Sequence, residues 1–443
     1  MLRTEARICV VGAGLAGLSA AWYLQKRGYH RITILEKAPQ VGGKCFSLVH
    51  GDAVLDLGAV MLMPSYRHVL PVIAELGLTA GPMPVFHALR WAGEATVSRT
   101  TTQLIVESHG ILDHLRAVLR LLLSYWRHSA VLRRPGLAGM SAGSPHADLA
   151  KPFAQWASER GVMPALTLFQ SLFHSMGYGD VEHLPTAYVL RYVSAGFYRG
   201  LIRTQLDHVL KLGMGWPRRI EEGFGELARR MARGIDIRTG AQIEAIRRDD
   251  AISVSWSEPD AGAFRRREER FDRLILACPP MATAGVMDWS ADEARLFGRV
   301  RVRTKTYTVT ACETTGIPVT LQFFETSRGP GDLVGLWRPS AESTACLFYT
   351  YAAEGDTADT IMTRLRADVP RIHPGATLGK VIHHVDWHYF PHVDAETFAD
   401  GYYDAFEALQ GQSATWHCGA LLSFEAVENV FAYSKALVER MVG

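Results

Sequence analysis

Residues 7–17, with the sequence RICVVGAGLAG, decide the fold of this chain. They join a short apolar run of strand character to a glycine turn, and the apolar spacing that continues over 18–28 is typical of a helix. A second apolar run, ITIL at 32–35, ends at Glu36, nineteen residues after Gly17. This order predicts a strand, a tight turn, a helix and a second strand, which together form a nucleotide-binding βαβ unit.

The spacing of the three glycines and the acid matches the fingerprint of an adenine dinucleotide site. In that fingerprint Gly12 permits the tight turn, Gly14 lets the backbone approach the pyrophosphate, and Gly17 lets the helix pack on the sheet. Glu36 bonds the ribose hydroxyls, and its charge disfavours the 2′-phosphate of NADP. The start of the helix then presents its free N–H groups to the phosphates.

The composition is that of an ordinary globular protein. The 443 residues are 48% hydrophobic and 21% charged, and a formal net charge of +2 gives no reason to expect a nucleic-acid partner. The chain begins almost at once with a core strand and no apolar run reaches spanning length, so we expect a cytoplasmic protein. The six cysteines are scattered without a CxxC pair, so we expect neither a disulfide nor a metal site.

The patterns along the chain predict an α/β fold in which the dinucleotide domain, of the Rossmann type, is discontinuous. Three segments are assigned to this domain: 1–64, 215–285 and 405–443. Residues 65–214 have mostly helical spacing, including 67–76 and 112–132, and are interpreted as a helical cap. Residues 286–404 are interpreted as an inserted substrate domain with a mixed β-sheet.

Short apolar or alternating runs predict further strands in the second half of the chain. These runs cover 235–237, 241–247, 252–256, 274–276, 306–312, 320–324, 333–337 and 345–351. Residues 356–368 return to helical spacing and predict a helix, while His383 and His384 are expected on or near a strand rather than at a metal.

Two more glycine segments follow the ribose acid, VGGK at 41–44 and DLGAV at 56–60. With them the chain resembles the FAD-dependent amine oxidase and phytoene desaturase superfamily, over nearly its whole length. Six segments are similar to bacterial polyenoic fatty acid isomerases: VGGKC at 41–45, PSY at 64–66, MGYG at 176–179, PTAYVLRY at 185–192, YFPHV at 389–393 and SKALV at 434–438. The dinucleotide domain is therefore expected to be an FAD-binding domain.

The resemblance implies FAD, bound without a covalent link, as the cofactor. It places these residues at the cofactor: Gly12, Gly14, Leu15, Ala16, Gly17, Glu36, Lys37, Gly42, Gly43, Lys44, Gly58, Ala59, Val60, Met61, Ile243, Gly419, Ala420 and Val427. For Lys44, a phosphate contact and a solvated loop lysine both stay open. The C-terminal segment that returns to the flavin usually reads Ala-Gly-Glu, but here Gly419 is followed by Ala420. The backbone and the start of the next helix are left to hold phosphate or a flavin carbonyl oxygen.

The resemblance to the isomerases implies that flavin N5 takes a hydride from an unsaturated, lipid-like substrate and that the hydride returns at another carbon, without net oxidation. Such chemistry needs no protein acid or base, and the sequence offers no persuasive pair of the two. Two alternatives stay open: an FAD-dependent oxidase or dehydrogenase of an amine or polyene, and a non-catalytic lipid-binding or prenyl-binding protein of related fold.

The candidate substrate contacts are Phe86, Arg90, Phe197, Phe348, Thr350 and Tyr389. In the isomerases that the chain resembles, an arginine and a phenylalanine gate the tunnel and hold the carboxylate. Arg90 and Phe197 are the candidates for these two roles, because a carboxylate needs a cation. In the run FYTY, alternation puts Phe348 and Thr350 on one face and the two tyrosines on the other, and one face is expected to line the pocket.

Lys305 and His392 are the candidates for a direct catalytic role. Amine oxidases hold a lysine near flavin N5 through a water, on a strand at about this position, whereas a surface lysine among arginines is the alternative for Lys305. His392 belongs to the shared YFPH segment, and a hydrogen-bonded structural histidine is the alternative.

Residues 112–134 combine apolar residues at helical spacing with five arginines. This basic amphipathic pattern makes the segment a candidate for peripheral contact with a membrane surface. The alternative is that its apolar side packs on the protein's own cap.

Overall fold

The computed structural model describes residues 2–63, 65–84, 86–93, 95–99, 103, 107–193, 196, 217–299, 302–325, 329 and 331–443. These residues form an α/β fold with a five-stranded parallel sheet, a large mixed sheet and a group of helices between residues 107 and 193. The predicted fold class is confirmed. The candidate gating residue Phe197 lies outside the described residues.

The strands are β1 (Ile8–Val11), β2 (Ile32–Glu36), β3 (Ser47–His50), β4 (Ala53–Asp56), β5 (Ala80–Pro82), β6 (Phe86–Ala92), β7 (Ala95–Arg99), β8 (Arg218–Ile220), β9 (Asp236–Thr239), β10 (Gln242–Arg248), β11 (Ile252–Asp260), β12 (Ala263–Phe271), β13 (Arg273–Leu276), β14 (Arg303–Thr315), β15 (Thr320–Phe324), β16 (Leu333–Arg338), β17 (Ala345–Tyr351), β18 (Thr377–His392) and β19 (Thr415–His417). The α-helices are Leu15–Lys26, Val69–Glu75, Ile111–Arg127, Ser129–Leu132, Phe153–Arg160, Met163–Phe173, Thr186–Tyr192, Phe224–Met231, Ala291–Arg299, Ala358–Ile372, Ala395–Ala399, Tyr402–Ala408, Ala420–Ser423 and Val427–Val442. A π-helical turn occupies His174–Tyr178.

The five-stranded sheet is parallel throughout, in the order β19, β13, β1, β2, β9. Its central strands β1 and β2 are buried at every residue, because a parallel sheet is covered on both faces. The strands come from the start, the middle and the end of the chain, so this sheet is discontinuous in sequence. The helix Val427–Val442 packs on the helix Leu15–Lys26, where the Ser434 hydroxyl donates to the Ala16 carbonyl oxygen at 3.3 Å.

A three-stranded antiparallel sheet, in the order β10, β11, β12, continues from β9. The sequence patterns predict β10 and β11 but not β12, whose residues AFRRREERF are charged on both faces. Because β12 is an outer strand exposed over most of its length, no period of two reveals it.

The large sheet has seven strands in the order β18, β14, β17, β16, β15, β6, β7, and of these pairs only β15 with β6 is parallel. One face packs on the helix Ala358–Ile372. The strands β6 and β7 come from the segment 65–214, which was predicted as mainly helical. They form an edge hairpin around Gly93 at φ +64°, and the mixed polar and apolar residues of an edge strand weaken its pattern.

Most of the other described residues of 65–214 are helical, and this group of helices is called the cap. Arg191 fixes its loop, because its guanidinium donates to the carbonyl oxygens of Val131, Arg134 and Gly136. Within the part of the chain that the structure describes, no helix has the length and hydropathy needed to cross a membrane.

Candidate functional site

The turn between β1 and the helix Leu15–Lys26 requires glycine at two positions for reasons internal to the protein. Gly12 has a φ of +104°, a conformation that side chains rarely tolerate. A Cβ on Gly17 would overlap the carbonyl oxygen of Gly12, so the helix crosses the strand end closely only with glycine there. These are the roles that the fingerprint assigns to the two residues.

Nothing in the described protein requires glycine at position 14. Its φ of −69° and ψ of 176° suit any residue, and a Cβ built on Gly14 meets no protein atom within 4 Å. The helix Leu15–Lys26 starts there without a side-chain cap or an acid in its first turn. Across the gap, the Gly42 N–H donates to the Ala13 carbonyl at 2.8 Å, and the Cβ position of Gly43 lies 3.3 Å from the Gly14 Cα. This open space between Gly14 and the loop at 42–43, the glycine groove, fits the phosphates of a dinucleotide.

Glu36 closes the far end of the groove. Its two carboxylate oxygens accept the N–H groups of Ala13 at 2.7 Å and of Ala38 at 2.8 Å. A carboxylate can accept about four hydrogen bonds, so roughly half of this capacity is left for ribose hydroxyls. Ile243 is half-buried on β10 next to this end of β2, whereas Lys37 is exposed to solvent.

The loop at 41–44 and the end of the hairpin formed by β3 and β4 meet beside the groove. A Cβ on Gly58 would overlap the carbonyl oxygen of Lys44, and the Ala59 N–H donates to that oxygen at 2.9 Å. Val60 is half-buried and Met61 is buried directly after it. The structure therefore brings the second and third glycine segments of the sequence together.

The C-terminal segment reaches the same groove. Gly419 has a φ of +128°, and a Cβ on it would meet only the Ala277 carbonyl oxygen, at 3.9 Å. Ala420 begins a short helix and supplies no polar side chain. The helix that starts at Val427 has no side-chain cap, so its first N–H groups are available to a bound oxygen. The residues present fit a dinucleotide enclosed from both ends of the chain.

Glu425 is the residue that sequence reasoning missed. Its carboxylate pairs with Lys44 and accepts the Phe390 N–H, and its carbonyl oxygen accepts the Tyr178 hydroxyl at 2.8 Å. It therefore joins the glycine loop, the end of β18 and the cap. The available signal was an acid just before a helix start, five residues after the Ala420 that replaces the usual one.

Next to this carboxylate lies an aromatic cluster, defined as Phe173, Tyr178, Tyr192, Tyr307, Tyr351, Tyr389, Phe390 and Phe424. Tyr178 is central, with its ring centroid 5.0 Å from that of Phe424 and 5.7 Å from that of Tyr389. Phe390 and Phe424 have positive φ angles of 52° and 83°. Bulky residues adopt this strained backbone only where the surrounding packing enforces it, which is common at functional sites.

The tyrosine hydroxyls of the aromatic cluster are hydrogen-bonded and neutral. Three of them donate to backbone carbonyl oxygens: Tyr178 to Glu425, Tyr307 to Ser175 and Tyr351 to His174. Burial raises the pKa of Tyr178, Tyr307 and Tyr389 well above the ordinary value. These tyrosines therefore cannot act as bases near neutral pH.

The two candidates for direct catalysis lie at the edge of the aromatic cluster. His392 is buried, with its Nδ1 2.7 Å from the Phe390 carbonyl oxygen and its ring stacked on Phe390 at 4.5 Å. Burial lowers its pKa, so it is neutral and has the contacts of a structural histidine. Lys305 places its ammonium 5.3 Å from the Tyr351 ring centroid and packs against Gly179.

Of the substrate candidates, Tyr389 belongs to the aromatic cluster, but Phe348 and Thr350 lie on the other face of the large sheet. Alternation along β17 turns Phe348 toward the helix Ala358–Ile372, and the Thr350 hydroxyl bonds that of Thr308 inside the sheet. The two tyrosines of the run are the ones that face the aromatic cluster. The alternation of side chains along β17 was therefore predicted correctly. The face beside the aromatic cluster, however, carries Tyr349 and Tyr351 rather than Phe348 and Thr350.

Arg90 does not reach the aromatic cluster. It is exposed on β6, near the edge of the large sheet. Burial raises the pKa of Glu325, and the positive charge of Arg90 opposes that rise. Phe86 begins the same strand, and its side chain lies outside the described part of the structure. The arginine expected to hold a carboxylate therefore faces solvent.

Asp56 makes the stability of this region depend on pH. It is fully buried at the end of β4, where one carboxylate oxygen accepts the Ser47 hydroxyl and the Phe224 N–H. Burial raises its pKa to about 7, although those hydrogen bonds oppose the shift. Between the unfolded value of about 3.9 and about 7, the folded state holds a proton that the unfolded chain has released. The stability contribution is therefore full below this window and falls as pH rises through it.

We expect the free energy of unfolding to lose up to about 1.4 kcal/mol per pH unit from this group between pH 5 and 7. Asp56→Asn should remove that slope, as measured by denaturant unfolding at several pH values. Asp52→Asn, at an exposed position of the same hairpin, is the matched control and should keep the slope. An unchanged slope in the Asp56 variant would contradict the assignment.

The discontinuous parallel sheet, its glycine groove and the adjoining mixed sheet define a dinucleotide-binding protein of the flavoprotein class. The sequence profile described as flavin containing amine oxidoreductase matches residues 15–392, and the chain belongs to this family. Membership implies a flavin cofactor, and the residues around Gly14, Gly58 and Gly419 are those that would hold it.

Two sequence relatives cover only small parts of the chain. A polyenoic fatty acid isomerase from Ptilota filicina is 38% identical over 71 residues, which are 16% of this chain and 14% of that protein. A flavin-dependent L-tryptophan oxidase from Lentzea aerocolonigenes is 36% identical over 83 residues, 18% of this chain and 17% of that protein. The matched segments thus span less than a fifth of these relatives.

Solved structures are similar over almost the whole chain. The crystal structure of a CLA-producing fatty acid isomerase from P. acnes has a TM-score of 0.83 at 24% identity, covering 99% of both chains. A wild-type putrescine oxidase bound to putrescine has a TM-score of 0.70 at 14% identity, again over 99% of both chains. At these identities the likeness establishes the shared fold.

Proposed function

We propose that this protein is an FAD-dependent isomerase that moves a double bond in a polyunsaturated, fatty-acid-like chain. The observation that carries this proposal is the aromatic cluster, whose buried and half-buried rings and neutral hydroxyls lie beside Lys44 at the glycine groove. A surface of this kind suits an apolar substrate with π-bonds and suits chemistry that needs no protein acid or base. The partial match to a polyenoic fatty acid isomerase agrees with it.

FAD would be held without a covalent link, its pyrophosphate before Gly14 and its ribose at Glu36. When bound there, it supplies a hydride acceptor that can take a hydride from the substrate and return it at another carbon. The protein's part is to orient the substrate C–H bond and to exclude water.

The residues of the aromatic cluster perform that positioning through packing. Tyr178 and Phe424 stack at an angle of 25° between their rings, and Tyr389 adjoins both the stack and the Lys44 ammonium, 5.1 Å from its ring centroid. Because Glu425 pairs with Lys44, that ammonium is compensated and does not present an isolated charge to an apolar chain.

The second candidate function is an oxidase or dehydrogenase of an amine or polyene. Lys305 favours it, because this lysine lies two residues before Tyr307 and shares its face of β14, the face that carries the aromatic cluster. Against the third alternative, a lipid-binding protein without flavin, stands the open groove at Gly14, where a Cβ would meet no atom of the described residues within 4 Å.

The isomerase proposal is tested by anaerobic incubation of the holoprotein with linoleate. We expect a conjugated diene to accumulate over many turnovers while the flavin is oxidised at the end of the reaction. Oleate is the matched control, because it lacks a bis-allylic carbon and should give no product. Lys305→Met should keep at least about half of the turnover, since the chemistry needs no base.

Lasting flavin bleaching without diene would overturn the proposal and favour net oxidation. So would turnover that depends on oxygen and disappears in Lys305→Met. A purified protein that stays colourless after incubation with FAD would favour the non-catalytic alternative.

A further inference from the structure

The helix Ile111–Arg127 turns an apolar stripe to solvent. Its inward side is formed by His114, Ala117 and Leu121, which are buried against the cap. Its outward side carries large apolar residues whose exposed fractions are 69% for Leu112, 58% for Leu115, 60% for Leu119, 58% for Leu123 and 75% for Trp126. Residues at these spacings share one face of a helix, so they form a continuous stripe rather than scattered exposure.

The charges around this stripe are mostly positive. Arg116, Arg120 and Arg127 are exposed along one flank of it, and two further arginines follow at 133 and 134. Asp113, which pairs with Arg116 at 3.0 Å, is the only acid between 111 and 134. The exposed indole of Trp126 at the end of the stripe suits the boundary between water and lipid. The alternative that the apolar side packs on the cap is excluded for these residues by their exposure.

The stripe is also close to the aromatic cluster in structure. The helix Ile111–Arg127 packs on the helix Met163–Phe173, where the His114 ring bonds the Pro164 carbonyl oxygen at 3.0 Å. That second helix leads directly into the π-helical turn that carries Tyr178. The helix Ile111–Arg127 itself therefore separates the stripe from the helix that leads into the aromatic cluster.

We propose that this face docks on the surface of a bilayer containing anionic lipids. The leucines and Trp126 enter the acyl boundary, and the flanking arginines contact lipid phosphates. A second copy of the chain is the less favoured occupant, because five arginines against one acid would bring like charges together. The docking stands apart from the proposed isomerase activity, although a membrane surface would bring an apolar substrate close to the cap.

The test is co-sedimentation of the holoprotein with vesicles of phosphatidylglycerol and phosphatidylcholine. We expect Leu119→Glu combined with Leu123→Glu to weaken binding at least tenfold, and high salt to weaken binding of the unchanged protein. Phe264→Glu is the matched control, because this residue is 64% exposed on β12, in the separate three-stranded sheet. It should bind like the unchanged protein.

Flavin content and the unfolding midpoint verify that each variant is folded. If the double variant is unfolded, Trp126→Ser replaces it with an expected loss of at least threefold. Binding that is equal in the stripe variants and in the control would overturn the proposal. The proposal would also be overturned if the unchanged protein bound neither the mixed vesicles nor phosphatidylcholine vesicles and instead formed a dimer. In that case the double variant would be monomeric. Because no turnover is measured, failure of the isomerase proposal would not affect this result.

Discussion

A Gly14→Val variant is expected to fold and to purify without flavin. Position 14 has an extended backbone that valine adopts readily, and a Cβ there meets no atom of the part of the chain that the structure describes within 4 Å. The apoprotein should therefore unfold with a free energy within about 1 kcal/mol of that of the unchanged apoprotein, the cost of a poorer helix N-cap. The branched side chain would fill the space before the uncapped helix, where the cofactor phosphates belong. Absorbance and released flavin in the purified protein measure the loss.

Gly17→Ala is the matched control for this variant. A Cβ at position 17 overlaps the Gly12 carbonyl oxygen, so the damage falls on the protein itself. Overpacking of this kind costs about 1–3 kcal/mol, and here it should lower the unfolding free energy of the apoprotein directly. Both comparisons use apoproteins, because bound flavin stabilises the folded state by mass action. Stoichiometric flavin in Gly14→Val would refute the placement of the groove.

The side of the glycine groove that the first βαβ unit forms was predictable because its parts are local. The turn at Gly12 and Gly17 and the acid at Glu36 lie within one βαβ unit, where spacing along the chain determines spacing in the fold. The strands β15 and β17 were likewise predicted residue for residue, since buried runs bounded by turns have few alternatives.

What the sequence left undetermined depends on tertiary contacts. Alternation separates the two faces of β17 but does not say which face receives a helix, so the tyrosine face was not preferred over the face with Phe348. The Arg90 side chain points to solvent because of where β6 joins the large sheet, through a parallel pair with β15 whose residues lie far apart in sequence. No local pattern contains that information.

Glu425 illustrates the same limit at the site. Its partners come from position 44, position 178 and position 390, so its role appears only when the dinucleotide domain, the cap and the large sheet are assembled. Glu425 is the first carboxylate after Ala420 in the sequence, and its side chain contacts Lys44 and the Phe390 N–H. Its contacts are to protein groups and leave the groove backbone free for the cofactor.

Glu425→Ala is therefore expected to lower both the stability of the protein and its turnover. It removes the partner of Lys44 and leaves the Phe390 N–H without its acceptor, at a residue whose positive φ already stores strain. A buried donor left unsatisfied costs about 1–3 kcal/mol, and Lys44 is partly solvated, so we expect a total loss of about 2–3 kcal/mol in unfolding free energy. Turnover should fall at least tenfold, because Phe390, whose ring packs against Tyr178, loses the carboxylate that holds its backbone.

Glu425→Gln separates the two contributions of this residue. Its amide oxygen can still accept the Phe390 N–H, so only the charge opposite Lys44 is lost, and the expected destabilisation is about 1 kcal/mol. Glu439→Ala is the control, because Glu439 pairs with Lys435 at 3.1 Å on an exposed helix face and should change stability by less than about 0.5 kcal/mol. Denaturant unfolding of the apoproteins and turnover of the holoproteins provide the two readouts. Equal effects of Glu425→Ala and Glu439→Ala would show that Glu425 does not anchor the site, since a carboxylate that pairs with Lys44 and accepts the Phe390 N–H cannot be removed as harmlessly as a surface one.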